Sequence, residues 1–230
     1  YGYRASGEWN PAAGLWFDPA KLLVDPYAIE LDQCFRFDTK LSAYGVDTAE
    51  INPKAIVVDT QGIEPQPPCF QHGGLIYEVN VRGFTILHPE VPGALQGTVA
   101  ALAQPAIIEH LKSLHVSAIE LMPIIAWIDE RHLPPLGLTN AWGYNPVAPM
   151  ALDPRLCPGG VTELRDTVAA LHAEGIGVIL DIVLNHTGES DVLGPVLCLR
   201  GLDDAAYAKA PDGSLINDTG CGNTLDFGNP

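Results

Sequence analysis

The spacing of apolar positions along the chain changes near residue 73. LIYEVNV (75–81) alternates, placing Leu75, Tyr77, Val79 and Val81 on one face, as a strand requires. PAIIEHLKSLH (105–115) instead gathers Ile107, Ile108, Leu111 and Leu114 on one stripe, the spacing of a helix packed along one side. SAIELM (117–122) predicts a second strand. TELRDTVAALHAEG (162–175) predicts a second helix, with Thr162 as its N-cap, Leu164, Val168 and Leu171 on its stripe, and Gly175 ending it. GVILDIVL (177–184) is apolar almost throughout, the pattern of a strand covered on both faces of a parallel sheet. Strand, helix, strand, helix, strand predicts an α/β domain, either doubly wound or closed as a barrel.

Before residue 73 the chain is broken by turn formers: Asn10-Pro11, Asp18-Pro19, Asp25-Pro26, Asn52-Pro53 and the run Pro65 to Pro68. Short apolar runs such as KLLVDPY and KAIVV lie between them, which predicts the end of a β-rich domain and a linker. Gly62 to Pro68 is the expected boundary, because each residue before a proline favours extended backbone. Two features favour the barrel. VRGFT after the first strand lacks the glycine pattern of a dinucleotide site. Each strand also leads into a loop carrying polar or aromatic side chains: Arg82-Gly83-Phe84, then Trp127, Trp142 and Tyr144, then Asn185-His186. In a barrel such loops gather at the C-terminal face, where active sites sit.

Composition narrows the function classes. The formal net charge of −16, with only 12 scattered Lys and Arg, excludes a nucleic-acid partner that needs clustered cations. No stretch of about 20 apolar residues exists, so no membrane helix is expected. No signal peptide is visible at YGYRASGEWNP. The cysteines number five, without CxxC spacing, which predicts free thiols in a reducing, cytoplasmic compartment.

The candidate chemistry sits at the end of the third predicted strand. A carboxylate in an apolar strand needs partners, so Asp181 is expected to meet a cation or several donors. Alternation places Asp181, Val183 and Asn185 on one face, with His186 just beyond. Imidazole and carboxamide groups on a rigid strand end suit a sugar's hydroxyls. Taken one residue at a time, Asp181 tying down a neighbouring loop and His186 as an ordinary loop residue is the plainer reading, and the complete string shifts the balance toward a site. In WGYNP (142–146), the rings of Trp142 and Tyr144 offer either a platform for the apolar face of a sugar or simple loop packing.

DIVLNH (181–186) and GYNP (143–146) resemble two signatures of the α-amylase superfamily of glycoside hydrolases. YGYR (1–4), FDPAKLLVDPYA (17–28), YEVNVRGFT (77–85), ELMPI (120–124), LGLTNAWGYNP (136–146) and TGCGNTLDF (219–227) are similar to its isoamylase and bacterial glycogen-debranching branch. That resemblance implies a partial TIM (β/α)8 barrel, with its first three strands and the start of the insertion after strand three, preceded by the tail of a β-sandwich domain. The implied boundaries are 1–70, 71–183 and 184–230. It implies that Tyr144 stacks on the glucose at the cleavage site, that His186 hydrogen-bonds it, and that Asp181 holds the polar network, with Trp142 also contacting substrate. The expected substrate is glycogen or another branched α-glucan. No cofactor is expected; some α-amylases bind calcium at the position of Asn185, but the debranching branch does not reliably keep that site. Ala141 stands where relatives usually carry an aromatic residue, and Trp16 where many carry a basic one.

Retaining glycosidases use two carboxyl groups about 5 Å apart. The superfamily places them on strands four and five. Glu189, Asp191, Asp203, Asp204 and Asp226 have no matching context, so no catalytic residue is assigned in this chain. The nucleophile and the general acid are expected beyond Pro230, in sequence that would follow the start of the insertion. The chain starts without Met and is expected to be an internal segment of a longer enzyme, inactive alone. Three functions stay open: an α-1,6-glucosidic debranching hydrolase, a related enzyme such as a branching transferase or trehalose-forming hydrolase, and a non-catalytic glucan-binding protein.

Overall fold

A parallel sheet is the framework for one part of the chain and a web of loops for the other. The computed structural model describes residues 1–59, 67–70 and 72–229. Of the expected boundary from Gly62 to Pro68, residues 62–66 therefore lie outside the described residues, and so does Pro230, the position beyond which the catalytic carboxylates are expected. In chain order the elements are β1 (Trp9–Asn10), β2 (Leu15–Trp16), β3 (Leu75–Val79), α1 (Val81–Thr85), α2 (Pro105–Ser113), β4 (Val116–Leu121), α3 (Gly160–Ala173), β5 (Gly177–Leu180) and α4 (Leu199–Leu202), with short 3-10 turns between them. They fall into two compact units: residues 1–57, 125–151 and 183–230 form one, and residues 58–124 and 152–182 the other.

The second unit holds a parallel sheet in the order β3-β4-β5, with α2 as the crossover from β3 to β4 and α3 as the crossover from β4 to β5. β4, in the middle, carries the core: Val116, Ala118, Ile119 and Leu121 are all buried. The continuous burial expected of the third strand belongs to β4 instead. In β5, Val178 and Ile179 are half-buried and Leu180 is 40% exposed. The strand also stops at Leu180, four residues short of expectation; Ile182 and Leu184 are exposed and only Val183 between them is buried. The Asp181 N–H still donates to Leu121 O at 3.0 Å, one bond past the strand end. β3 likewise ends at Val79, and the Asn80 side chain accepts from the Gly83 N–H at 2.8 Å. Arg82-Gly83-Phe84, expected as a loop, is therefore the helical turn α1.

Both crossover helices form where expected, but two details differ. On α2 only Ile107 and Leu111 of the four predicted stripe positions are buried; Leu114 lies past the helix and is 43% exposed. α3 starts at Gly160, so Thr162 sits inside its first turn and is not the cap. Glu163 supplies the cap function instead, accepting from the N–H groups of Gly159 (2.7 Å) and Ala100 (3.0 Å). Gly175 does end the helix, at φ +76°, a left-handed conformation that glycine adopts without steric cost.

The first unit has little regular structure. β1 and β2 pair as a two-residue hairpin, and single bridges join Tyr3 to Leu23 and Leu31 to Ala55. Its apolar core joins Val24, Leu31, Phe35 and Leu41 to Ile128, Val147 and Leu197. Buried polar groups hold the loops: the fully buried Lys21 ammonium donates to the carbonyls of Lys40, Ala43 and Val46, which satisfies all its protons. Burial pulls its pKa below the ordinary lysine value. Among the described residues no helix is long and apolar enough to cross a membrane.

Candidate functional site

The loop carrying Trp142 and Tyr144 is built on one asparagine. The Asn140 side-chain oxygen accepts from the N–H groups of Trp142 and Gly143, both at 2.9 Å, bending the chain into a tight turn. Its amide donates to Glu130 Oε1 at 3.0 Å, its own N–H donates to Asp129 Oδ1 at 2.8 Å, and its carbonyl accepts from Trp127 Nε1 at 3.1 Å. With Gly143 at φ +84°, the turn throws the Trp142 ring outward, 67% exposed. The Tyr144 ring is half-buried beside it, 6.4 Å between centroids and inclined at 70°. The two rings form an angled aromatic ledge.

His186 stands behind this ledge and is buried, at 5% exposure. Its Nε2 lies 3.0 Å from the Tyr144 carbonyl, which only accepts, so this nitrogen carries the proton. Its Nδ1 lies 2.8 Å from the side-chain oxygen of Asn185. Both ring nitrogens are thus engaged by the protein, and His186 fastens the Tyr144 loop to the residues after β5. Asn145 completes the join, donating to Ile128 O at 2.7 Å, while the Gly188 N–H donates to Pro146 O at 2.6 Å. Of the four sequence-derived site residues, Trp142, Tyr144 and His186 come together in one unit. Asp181 belongs to the other unit, half-buried just past β5 rather than inside an apolar strand.

The five candidate acids after the third strand all have structural work. Glu189 is fully buried and accepts from the N–H groups of Leu197 (2.7 Å), Cys198 (2.8 Å) and Arg200 (2.9 Å) and from the Tyr207 hydroxyl (2.5 Å). Burial, then the Glu189 charge, pushes the Tyr207 phenol and the Cys198 thiol well above their usual ranges. Asp191 binds Arg131 through both oxygens, each at 2.6 Å; that pair holds the Asp191 carboxyl below its usual range and raises the guanidinium. Asp204 pairs with Lys209 at 2.6 Å, yet burial pushes its pKa up. Asp203 caps Ala205, and Asp226 accepts from the Gly228 N–H.

Asn140 and Asn223 are positioning groups that the residue pattern did not single out, and Glu189, expected only as an acid without a matching context, is a third. Asn223 takes the Thr187 N–H at 2.9 Å and donates to the carbonyls of Thr187 and Ser190. Only Asn140 had a local signal, an asparagine two residues before a turn. For a metal, the Asn185 side chain is occupied by His186, and among the described residues no group of three or more His, Cys, Asp or Glu side chains is assembled.

No family model matches the chain. The whole chain is 47% identical over 247 residues to the glycogen debranching enzyme of Yersinia pseudotuberculosis serotype IB (strain PB1/+), and it spans 37% of that protein's length. Among solved structures, the catalytic module of the multi-modular glycogen-degrading pneumococcal virulence factor SpuA matches at 25% identity and TM-score 0.62, over 88% of this chain and 30% of that one. A D470A mutant of pullulanase from Paenibacillus barengoltzii, complexed with maltotetraose, matches at 22% identity and TM-score 0.63 over 89% of this chain and 32% of that one, a likeness of fold.

Proposed function

From a chain homologous along its whole length to glycogen debranching enzymes, we propose that these residues are the glucan-binding part of an α-1,6-glucosidic debranching hydrolase. The observation that carries the reading is the aromatic ledge of Trp142 and Tyr144, locked by Asn140 and His186. Two inclined rings match the alternation of apolar face and hydroxyl rim on a glucosyl residue. In this reading Tyr144 stacks on the glucose at the scissile bond, Trp142 flanks it and His186 hydrogen-bonds it, while Asp181 acts as a positioning residue and not as a sugar contact. His186 reaches sugar by exchanging its Asn185 or Tyr144 partner.

The three parallel strands are then the first three of a (β/α)8 barrel, residues 1–70 close a β-sandwich domain, and residues 184–230 open the insertion after strand three. The carboxylates that break the bond by retention belong to sequence beyond Pro230, a reading supported by the structural employment of Glu189, Asp191, Asp203, Asp204 and Asp226. Branched glucan is the substrate and the cytoplasm the compartment.

The test is hydrolysis of glycogen by the full-length protein that carries this chain, measured as new reducing ends and as loss of α-1,6 linkages by NMR. Release of linear chains is expected, and Tyr144→Ala is expected to lower kcat/KM by about 10- to 100-fold, the loss of an aromatic stacking contact at the reacting centre. Untouched α-1,6 linkages would overturn the proposal, as would clear hydrolysis by the 230-residue chain alone.

A further inference from the structure

The TGCGNTLDF stretch (219–227) lies far along the chain from His186, yet its middle grips both neighbours of that residue. On one side the Leu225 N–H donates to the Asn185 carbonyl at 3.0 Å. On the other, Asn223 Oδ1 accepts from the Thr187 N–H and Asn223 Nδ2 donates to the Thr187 carbonyl, both at 2.9 Å. The second proton of that amide goes to the Ser190 carbonyl, also at 2.9 Å. Asn223 and Thr187 are buried, so water cannot stand in for these partners.

The gripping stretch is itself fixed. Gly222, at φ +104°, approaches so closely that a Cβ would lie 2.5 Å from the Asp191 N and 2.7 Å from the Ser190 carbonyl carbon. Its N–H donates to Asn217 Oδ1 at 2.8 Å, and the Thr219 hydroxyl donates to the Asn223 carbonyl at 3.2 Å. Residues 206–208 back the stretch through an antiparallel bridge between Tyr207 and Leu225. The Ala208 N–H donates to Thr224 O at 2.8 Å, and the Asp226 N–H to Ala206 O at 2.9 Å.

The backing segment adds a side-chain hold of its own. Tyr207 is buried and commits its one hydroxyl proton to Glu189 Oε2. The Thr187 hydroxyl, 2.7 Å from the same phenolic oxygen, is therefore the donor of that second bond. Every polar atom of Thr187 is taken: its N–H and carbonyl by Asn223, its hydroxyl by Tyr207. With the Asn185 carbonyl held by Leu225, the main chain is fastened on both sides of His186. The His186 ring, by contrast, is held by two bonds, to the Asn185 side chain and the Tyr144 carbonyl. An exchange of partners at the ring then needs side-chain rotation alone, and the backbone that aims it stays in place.

We propose that Asn223 and Tyr207 are positioning residues for His186, which fasten residues 185–187 so that the imidazole meets the glucosyl residue on the Tyr144 ring. Neither touches the sugar; both act through Thr187 on the histidine. The proposal rests on the glucan reading above and names what aims its polar contact.

A double-mutant cycle on the full-length protein tests it, with glycogen as substrate and every variant assayed below its unfolding midpoint. Asn223→Ala is expected to lower kcat/KM about tenfold, with the same split between kcat and KM as His186→Ala. Added to His186→Ala, it is expected to change kcat/KM by less than about twofold, because the residue through which it acts is gone. A merely structural role would lower the unfolding midpoint equally in both backgrounds and leave the kinetic losses multiplying. Thr187→Val keeps the shape and both backbone bonds to Asn223 but removes the donor to Tyr207. It is expected to lower kcat/KM about threefold, and Thr187→Ser to return it to within about twofold of the parent. This pair, taken through the same cycle with His186→Ala, decides the matter if Asn223→Ala does not fold. Losses that multiply in the His186→Ala background would overturn the assignment and leave the glucan reading standing. So would parent-like kcat/KM in both Asn223→Ala and Thr187→Val. A parent protein that leaves α-1,6 linkages untouched would sink the glucan reading and this assignment together.

Discussion

Glu189 shows how a charge is kept inside a loop with little regular structure. Its two oxygens take three backbone N–H groups and one phenol, so the carboxylate is solvated by protein in place of water. Arg200, in α4, is buried with it; its guanidinium donates to the carbonyls of Ser190 and Asp191 and lies 5.1 Å from the Trp16 ring centroid. Glu189→Gln keeps the shape but turns an NH2 toward a backbone N–H that needs an acceptor. The expected loss is about 2–3 kcal/mol, read as a lower urea midpoint with an unchanged slope. Tyr207→Phe, which removes one donor to the same carboxylate, is expected to cost less, about 1–2 kcal/mol. Equal stability of Glu189→Gln and the parent would show that the buried carboxylate is not the fastening point.

Asp191 carries a pH signature of the opposite kind to Asp204. Arg131 depresses the folded-state pKa of Asp191 below the ordinary 3.8. Its contribution to stability is therefore complete above 3.8 and is lost as pH falls through the lower, folded value. Asp204 is raised by burial, so its charge works against the fold above 3.8. Asp191→Asn is expected to flatten the acid limb of stability against pH, measured by thermal unfolding between about pH 2 and 6. An acid limb as steep as the parent's would refute the assignment.

At the scale of elements, the α3 terminus separates a pattern from its mechanism. A threonine before an apolar stripe reads as a cap, yet the helix begins two residues earlier and Glu163 reaches back to Gly159 and across to Ala100. Thr162→Ala is expected to change stability by less than about 0.5 kcal/mol, whereas Glu163→Ala is expected to cost about 1–2 kcal/mol in the same unfolding assay. The reverse order would restore Thr162 as the cap. The strand–helix alternation, the parallel order and the Gly175 stop were legible because each depends on residues within one element. Strand ends were not: whether 181–184 stays extended depends on what covers Ile182 and Leu184, which no local pattern records. The site divides the same way. Trp142 and Tyr144 were visible as rings in a turn, but the roles of His186, Glu189 and Asn223 arise from contacts across 42, 18 and 36 positions.

At the scale of the whole molecule, the two kinds of architecture differ in how they are stabilised. The sheet unit relies on the buried face of β4 and its two crossover helices. The loop unit relies on an apolar core of residues far apart in sequence and on buried polar anchors such as Lys21 and Glu189. Ladder bonds tolerate a weakened neighbour, while an anchor with three or four bonds fails as a group.

The grip of Asn223 on Thr187 has a consequence for the order of events during synthesis. The turn beside His186 is closed by a side chain that is translated 36 residues later. A nascent chain that has emerged only through Tyr207 holds Glu189 and its donors but leaves the Thr187 amide without its acceptor. The turn after His186 is thus fastened only once the TGCGN stretch (219–223) has left the ribosome, whereas the Asn140 and His186 contacts that hold the two rings involve only residues synthesised before it.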